Sequence, residues 1–174
     1  MPGAAIMPKA SPYPWYALRI QSRKEQLSSQ VLSHKGFQSY VPTYRNLRQW
    51  SDRCVELDTP LFPGYVFCRF DPRTRLPVLT TPGVISILGF GQEAAPVDDR
   101  EIEAIQAVLR SGLHVEPCGF LQEGQKVRIV RGSLQGLEGI LMHKKTQYRM
   151  VISVTMLQRS VTVEIDRDWI NGAK

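Results

Sequence analysis

The chain has 174 residues, 43% of them hydrophobic and 22% charged, with a formal net charge of +6. That length holds one medium domain or two small ones, and the composition is that of an ordinary soluble globular protein. A basic excess of this size is compatible with work near nucleic acid without requiring it, while the longest apolar run falls well short of the ~20 residues of a membrane helix.

Residues 1–13 lack a continuous apolar core, fail as a signal peptide and read as a flexible tail. Trp15–Ile20 is a β-favouring run and the first expected strand. Ser22-Arg23-Lys24-Glu25 fits a capping box that opens a helix with Leu27, Val31 and Leu32 on one side, closing at Gly36. Phe37–Val41 reads as a strand stopped by Pro42. Arg45 to Asp58 is polar, with Arg45, Arg48 and Arg53 around Trp50, and predicts a projecting hairpin or loop. Trp50 could stack on a base or brace the hairpin by cross-strand packing.

Leu61 to Phe70 is largely apolar and aromatic and holds the Pro63-Gly64 bend, flanked by Phe62 and Tyr65. From Tyr65 onward its odd positions share one face of a strand. It is either a central core strand or the source of an aromatic docking surface. Asp71-Pro72 predicts a helix start, with a short helix around Arg75–Thr80 before the turn Thr81-Pro82-Gly83. Val84–Leu88 is a strand ending at Gly89. Asp98-Asp99-Arg100-Glu101 is a second capping signature; Ile102, Ile105, Val108 and Leu109 follow at helical spacing, and Ser111-Gly112 closes the helix. These elements predict an α+β domain over residues 14–111, followed by a linker over 112–120 that holds Pro117 and Gly119.

The texture changes at Leu121. Lys126–Val130 alternates, and Gly132, Gly136 and Gly139 break the chain at short intervals. Ile140–Met142, a turn at Lys144-Lys145-Thr146, then Met150, Ile152, Val154 and Val161, Val163, Ile165 on single strand faces predict a small closed β-barrel over 121–172. Cys54, Cys68 and Cys118 form neither a disulfide framework nor a zinc motif, so a reducing cytoplasm is expected. His34, His114 and His143 stand far apart, with no nucleophile elbow, P-loop or paired carboxylates around them. The expectation is a protein that binds without catalysing and without a metal or cofactor.

Five segments in order carry a resemblance that runs from Trp15 to Ile170. They are Trp15-Tyr16; Phe62-Pro63-Gly64-Tyr65-Val66; Thr81-Pro82-Gly83-Val84 with Gly89-Phe90-Gly91; Ala95-Pro96-Val97 before Glu101-Ile102; and Gly124–Ile129 with Gly132, Gly136 and Gly139. Together they resemble the NusG family of transcription elongation factors, with an N-terminal NGN domain and a C-terminal SH3-like KOW barrel. Ser22–Glu25, Phe37–Pro42 and Leu157–Val163 are similar to the specialised RfaH-like and UpxY-like antiterminators of particular operons.

The resemblance implies that the NGN domain of a monomeric factor binds RNA polymerase through an apolar depression that receives the clamp helices of its largest subunit. Phe62, Tyr65 and Phe67, with Trp15 and Tyr16 close by, fall on that motif. On this reading Val66 and Cys68 pack inward while Phe62, Tyr65 and Phe67 shape the surface. Thr80 and Thr81 would face the opposite side of the polymerase cleft, or are plain turn chemistry. Arg23, Lys24, Arg45 and Arg48 would face exposed DNA of the transcription bubble, or are a solvated basic face. Leu134 and Leu137 would anchor a ribosomal protein or the termination factor Rho at the KOW barrel, or plug the barrel. The β-branched runs from Val151 to Ile165 argue against refolding of the barrel into helices. The other readings are a housekeeping NusG-type factor coupled to Rho or the ribosome, and a KOW-type RNA-binding protein, which leaves the first 110 residues unexplained.

Overall fold

The computed structural model describes residues 11–121, 123–144 and 146–170, and of Lys144 its backbone alone. The expected N-terminal tail lies almost wholly outside the described residues, as does Lys145 in the expected turn. The first half runs β1 Trp15–Ile20, α1 Glu25–His34, β2 Gln38–Tyr40, β3 Thr43–Gln49, β4 Cys54–Pro60 and β5 Tyr65–Arg69. A 3-10 turn at Pro72–Thr74 leads to α2 Leu76–Leu79, β6 Val84–Ile87, β7 Gly89–Phe90, β8 Glu93–Ala94, β9 Pro96–Val97 and α3 Asp99–Arg110. Then come β10 Val115–Cys118, β11 Gln125–Arg128, β12 Glu138–Lys144, β13 Gln147–Val154 and β14 Arg159–Ile165. These form two compact units, Met1–Val41 with Gly64–Pro96, and Pro42–Pro63 with Val97–Lys174.

The first unit is built on an antiparallel path β2-β5-β1-β6. Alternation decides its core: Tyr16, Leu18 and Ile20 of β1 lie beside Val66 and Cys68 of β5, with Phe70, and Leu32 of α1 and Val78 of α2 pack on them. Asp71 caps the 3-10 turn by accepting from the Arg73 N–H at 2.9 Å, with Pro72 in the first turn as expected. The start of α1 departs from the capping-box expectation. Lys24 is the N-cap and gives no side-chain cap, and Glu25 is buried and turned elsewhere. The buried face of α1 is Glu25, Ser28 and Leu32, so Leu27, expected on the core side, is exposed. A helix seated against a turn needs a small residue, and Ser28 supplies it.

In the second unit, β3 and β4 pair from Thr43↔Pro60 to Gln49↔Cys54, so the expected hairpin exists with Trp50 exposed at its tip. Asp98 caps α3 through the Arg100 N–H at 2.9 Å, and Ile102, Ile105 and Val108 are buried at helical spacing. The barrel sheet is antiparallel in the order β10-β14-β13-β12-β11, and a bridge between Ile129 and Ile170 ties the chain after β11 to the chain after β14. Its inner row is Met150, Ile152, Val154, Val161, Val163 and Ile165, as the alternation predicts. β10 comes from the stretch read as linker: Val115 to Cys118 pair with Val163 to Ser160 of β14. A strand containing Pro117 is tolerated because it lies at the edge of the sheet. The α+β class, with antiparallel sheets and a small C-terminal barrel, is therefore the class that the sequence predicts.

Candidate partner-docking site

The Pro63-Gly64 bend is held from two sides. Gly64 adopts φ +85°, which only glycine takes without strain, and its N–H donates to Glu25 Oε1 at 2.9 Å. Its carbonyl accepts from the Ile20 N–H at 2.7 Å. The buried carboxylate of Glu25 thus fixes where β5 begins, a role that a capping-box reading could not reveal.

Beyond the bend, β5 buries both faces. Val66, Phe67 and Cys68 are all 0% exposed, and Phe62 is 3%. The expectation that Phe62 and Phe67 shape the surface is therefore corrected: β5 runs between β2 and β1, and its odd face carries an aromatic layer of its own. In that layer Trp15 lies 6.3 Å from Tyr40, Tyr40 6.5 Å from Phe67, and the Arg69 guanidinium 4.8 Å above Trp15. Trp15 is buried there, whereas Tyr16 is buried on the other face against Phe70 at 4.7 Å. Burial, with a smaller contribution from the Asp71 charge, raises the Tyr16 phenol, and burial pushes the Cys68 thiol up to about 12.

Of the five aromatic candidates only Tyr65 reaches partial exposure. It stands opposite Arg19, which stands opposite Ser86, so the three form a row across β5, β1 and β6 on one face. The register slips there, leaving Ile85 as the extra residue of a bulge, 55% exposed. Phe90, at the β7–β8 hairpin, is 78% exposed. The sequence reading missed Ile85 and Phe90; the signal for Phe90 was an aromatic residue between Gly89 and Gly91.

Thr81 is buried, its hydroxyl donating to the Pro77 carbonyl at 3.0 Å and accepting from Lys35 Nζ at 3.1 Å. Thr80 is exposed and donates to the Leu76 carbonyl at 3.0 Å. The turn is pinned to α1, where Ser28 Oγ donates to the Pro82 carbonyl at 2.8 Å. Arg23 and Lys24 occupy the exposed turn before α1, with Arg23 at φ +66°. Arg45 and Arg48 lie on opposite faces of the hairpin, because three positions separate them on one strand. Arg45 faces Asp58 and reaches Glu56 at 3.7 Å, whereas Arg48 faces Val55.

At the barrel, Leu134 is buried and Leu137 is half-buried. Across the outer face Arg149 donates to Glu116 at 2.7 Å and to Glu164 at 3.0 Å, while His114 lies 2.9 Å from Glu116. The hydrogen bond from His114, followed by that from Arg149, holds the Glu116 carboxyl below its ordinary range.

Antiparallel sheets with few helices and a small C-terminal β-barrel define the fold class, a mixed α+β protein. Residues 13–106, more than half of the chain, match the family model described as transcription termination factor nusG, and the chain belongs to the NusG family of transcription termination and antitermination factors. It is 21% identical over 164 residues to the transcription termination/antitermination protein NusG of one Helicobacter pylori strain, and 22% over 173 residues to that of another. Each alignment covers 87% of this chain and 93% of the relative. The fold is similar to that of a solved structure described as domain interaction in Thermotoga maritima NusG, with TM-score 0.55, 20% identity, and 92% of this chain and 97% of that one covered.

Proposed function

We propose that this chain is an elongation and antitermination factor serving particular operons, with residues 14–111 binding the clamp helices of RNA polymerase and the barrel over 121–172 recruiting a ribosomal protein or Rho. The observation that carries the docking half is the half-exposed Tyr65 in its row with Arg19 and Ser86, and the exposed, bulged Ile85 beside it, all on the family-matched segment. The buried Trp15 and Phe67 and the half-buried Tyr40 flank that row on the same sheet face, and Tyr16 and Phe62 are core. A few such anchors supply most of the energy of a helix seated in a groove. Clamping favours the closed, transcribing state of the polymerase and disfavours pausing, a population shift that needs no chemistry from the factor. Thr80, the more exposed member of its pair, would touch the opposite side of the cleft, and Arg23, Lys24 and Arg48 would meet bubble DNA.

The test is in vitro transcription across a pause site and a terminator, comparing the intact protein with Tyr65→Ala/Ile85→Ala after circular dichroism confirms its fold. Loss of the pausing effect, with loss of polymerase in a salt-dependent pull-down, is the expected outcome. An unchanged effect sinks the docking placement, and retention of free RNA without polymerase overturns the elongation-factor reading.

A further inference from the structure

The inner row of the barrel ends on aromatic side chains. Tyr148 continues the row of Met150, Ile152 and Val154 on β13, and it stands opposite His143 on β12 and Ile165 on β14. The His143 and Tyr148 rings lie 4.7 Å apart. After β14 the 3-10 turn Arg167–Trp169 brings a second aromatic to the same place, so that Leu113, Tyr148, Ile165 and Trp169 wall a hollow of about 410 Å³. The Trp169 indole is held in position: a Cβ on Gly132 would meet it at 2.6 Å, and the Trp169 carbonyl accepts from the Val130 N–H at 2.7 Å.

Glu164 and Asp166 make the rim of this hollow acidic, in a chain whose net charge is +6. Glu164 accepts from Arg149 through Oε1 at 3.0 Å, which leaves Oε2 for a further donor. The Asp166 side chain is exposed and does not cap the turn Arg167–Trp169 that follows it. One cation already rests here, since the Arg167 guanidinium lies 6.0 Å from the centre of the Tyr148 ring. That distance is the outer limit of cation–π range, and Arg167 is exposed, so the contact is weak and exchangeable. Charge decides the class of ligand. Aromatic faces suit either a base or a cation, but the phosphates that accompany a base would be set against Glu164 and Asp166, whereas a cation gains from both carboxylates. Guanidinium fits better than ammonium, because its plane stacks on a ring while its N–H fork reaches the carboxylates.

We propose that this end of the barrel is a docking site for an arginine side chain on an extended basic segment of a partner protein, with Tyr148 and Trp169 as stacking faces and Glu164 and Asp166 as counter-charges. Arg167 is its resident placeholder: it covers the Tyr148 ring in the free protein and gives way to the incoming arginine. The site uses neither Tyr65 and Ile85 nor Leu134 and Leu137, so it stands independently of polymerase docking.

The test follows the tryptophan indole N–H signals of the full chain by NMR as a short glycine–serine peptide with one central arginine is added. Matched peptides carry citrulline or lysine instead, and a uridine oligonucleotide is the RNA probe. The arginine peptide is expected to shift the Trp169 signal saturably and to leave those of Trp15 and Trp50 in place. Citrulline should abolish the shift, and lysine should weaken binding about three-fold or more. Asp166→Asn changes an exposed side chain and is expected to weaken binding about five-fold, and Tyr148→Leu about ten-fold. Arg167→Ala should tighten it about three-fold by vacating the ring. Absence of a Trp169 shift with the arginine peptide overturns the proposal, as does equal binding of the arginine peptide and either matched peptide. A Trp169 shift with the oligonucleotide alone reverses the charge argument and also overturns it, and so does loss of peptide binding in Arg167→Ala.

Discussion

At Gly83 an added methyl group would meet Ser28 Oγ at 2.3 Å, on a backbone already at φ +91°. Both the contact and the backbone sign oppose any other residue. Gly83→Ala is expected to cost about 3 kcal/mol in chemical denaturation, and adding Ser28→Ala to recover only part, since that change also removes the hydrogen bond to the Pro82 carbonyl. The Pro82-Gly83 turn was legible in the sequence because its chemistry is local. Its partner was not, because nothing near residue 28 announces that a small side chain there seats a turn residue. The same contrast separates the cysteines. Cys54 is exposed on the hairpin, whereas Cys68 is fully buried with its thiol pushed up to about 12. Alkylation at neutral pH followed by mass spectrometry is expected to modify Cys54 in the native protein and Cys68 only after denaturation; labelling of native Cys68 would contradict the packing of β5.

Among the elements, the hairpin was legible as an element and misread as a surface. Polar composition and a central Trp predicted it, but a count of arginines does not say which face each one joins. The register settles that. Arg45 sits opposite Asp58 and beside Glu56, so its field is largely cancelled, while Arg48 faces Val55 on the other side. If the hairpin tracks a phosphate backbone, Arg48→Ala should lower the slope of log affinity against log salt by about one, and Arg45→Ala by markedly less. Filter binding to a bubble template over a salt series makes the comparison, and equal slopes would remove the distinction between the faces. For β5 the error ran the other way. Period-two alternation was read as one face in and one face out, but an interior strand with aromatic neighbours on both sides buries both faces.

At the scale of the whole molecule, the chain crosses between its compact units three times, since Pro42–Pro63 and Val97–Lys174 group together. Sequence order therefore does not group the chain as its contacts do, and β10 shows why. Val115 to Cys118 has linker composition, yet its backbone pairs with β14 in the barrel sheet and its Glu116 side chain accepts from Arg149 on β13. The carboxylates of Glu116 and Glu164 flank Arg149, and His114 lies against Glu116 from the chain just ahead of β10. Because folding depresses the Glu116 carboxyl, its contribution to stability is fully present above the ordinary carboxylate range. That contribution is lost as pH falls through the lowered folded value. The acid limb of the thermal stability profile should therefore carry a step assignable to this cluster, followed through the barrel methyl signals. Glu116→Gln is expected to flatten that step while lowering stability at neutral pH, because it leaves Arg149 with Glu164 alone as its anionic neighbour in the cluster. Arg149→Met should shrink the same step from the opposite partner, with the His114 hydrogen bond still holding part of it. A step that persists in both variants would assign the acid sensitivity to carboxylates elsewhere in the chain, and would reduce Glu116 to a strand residue with an incidental neighbour.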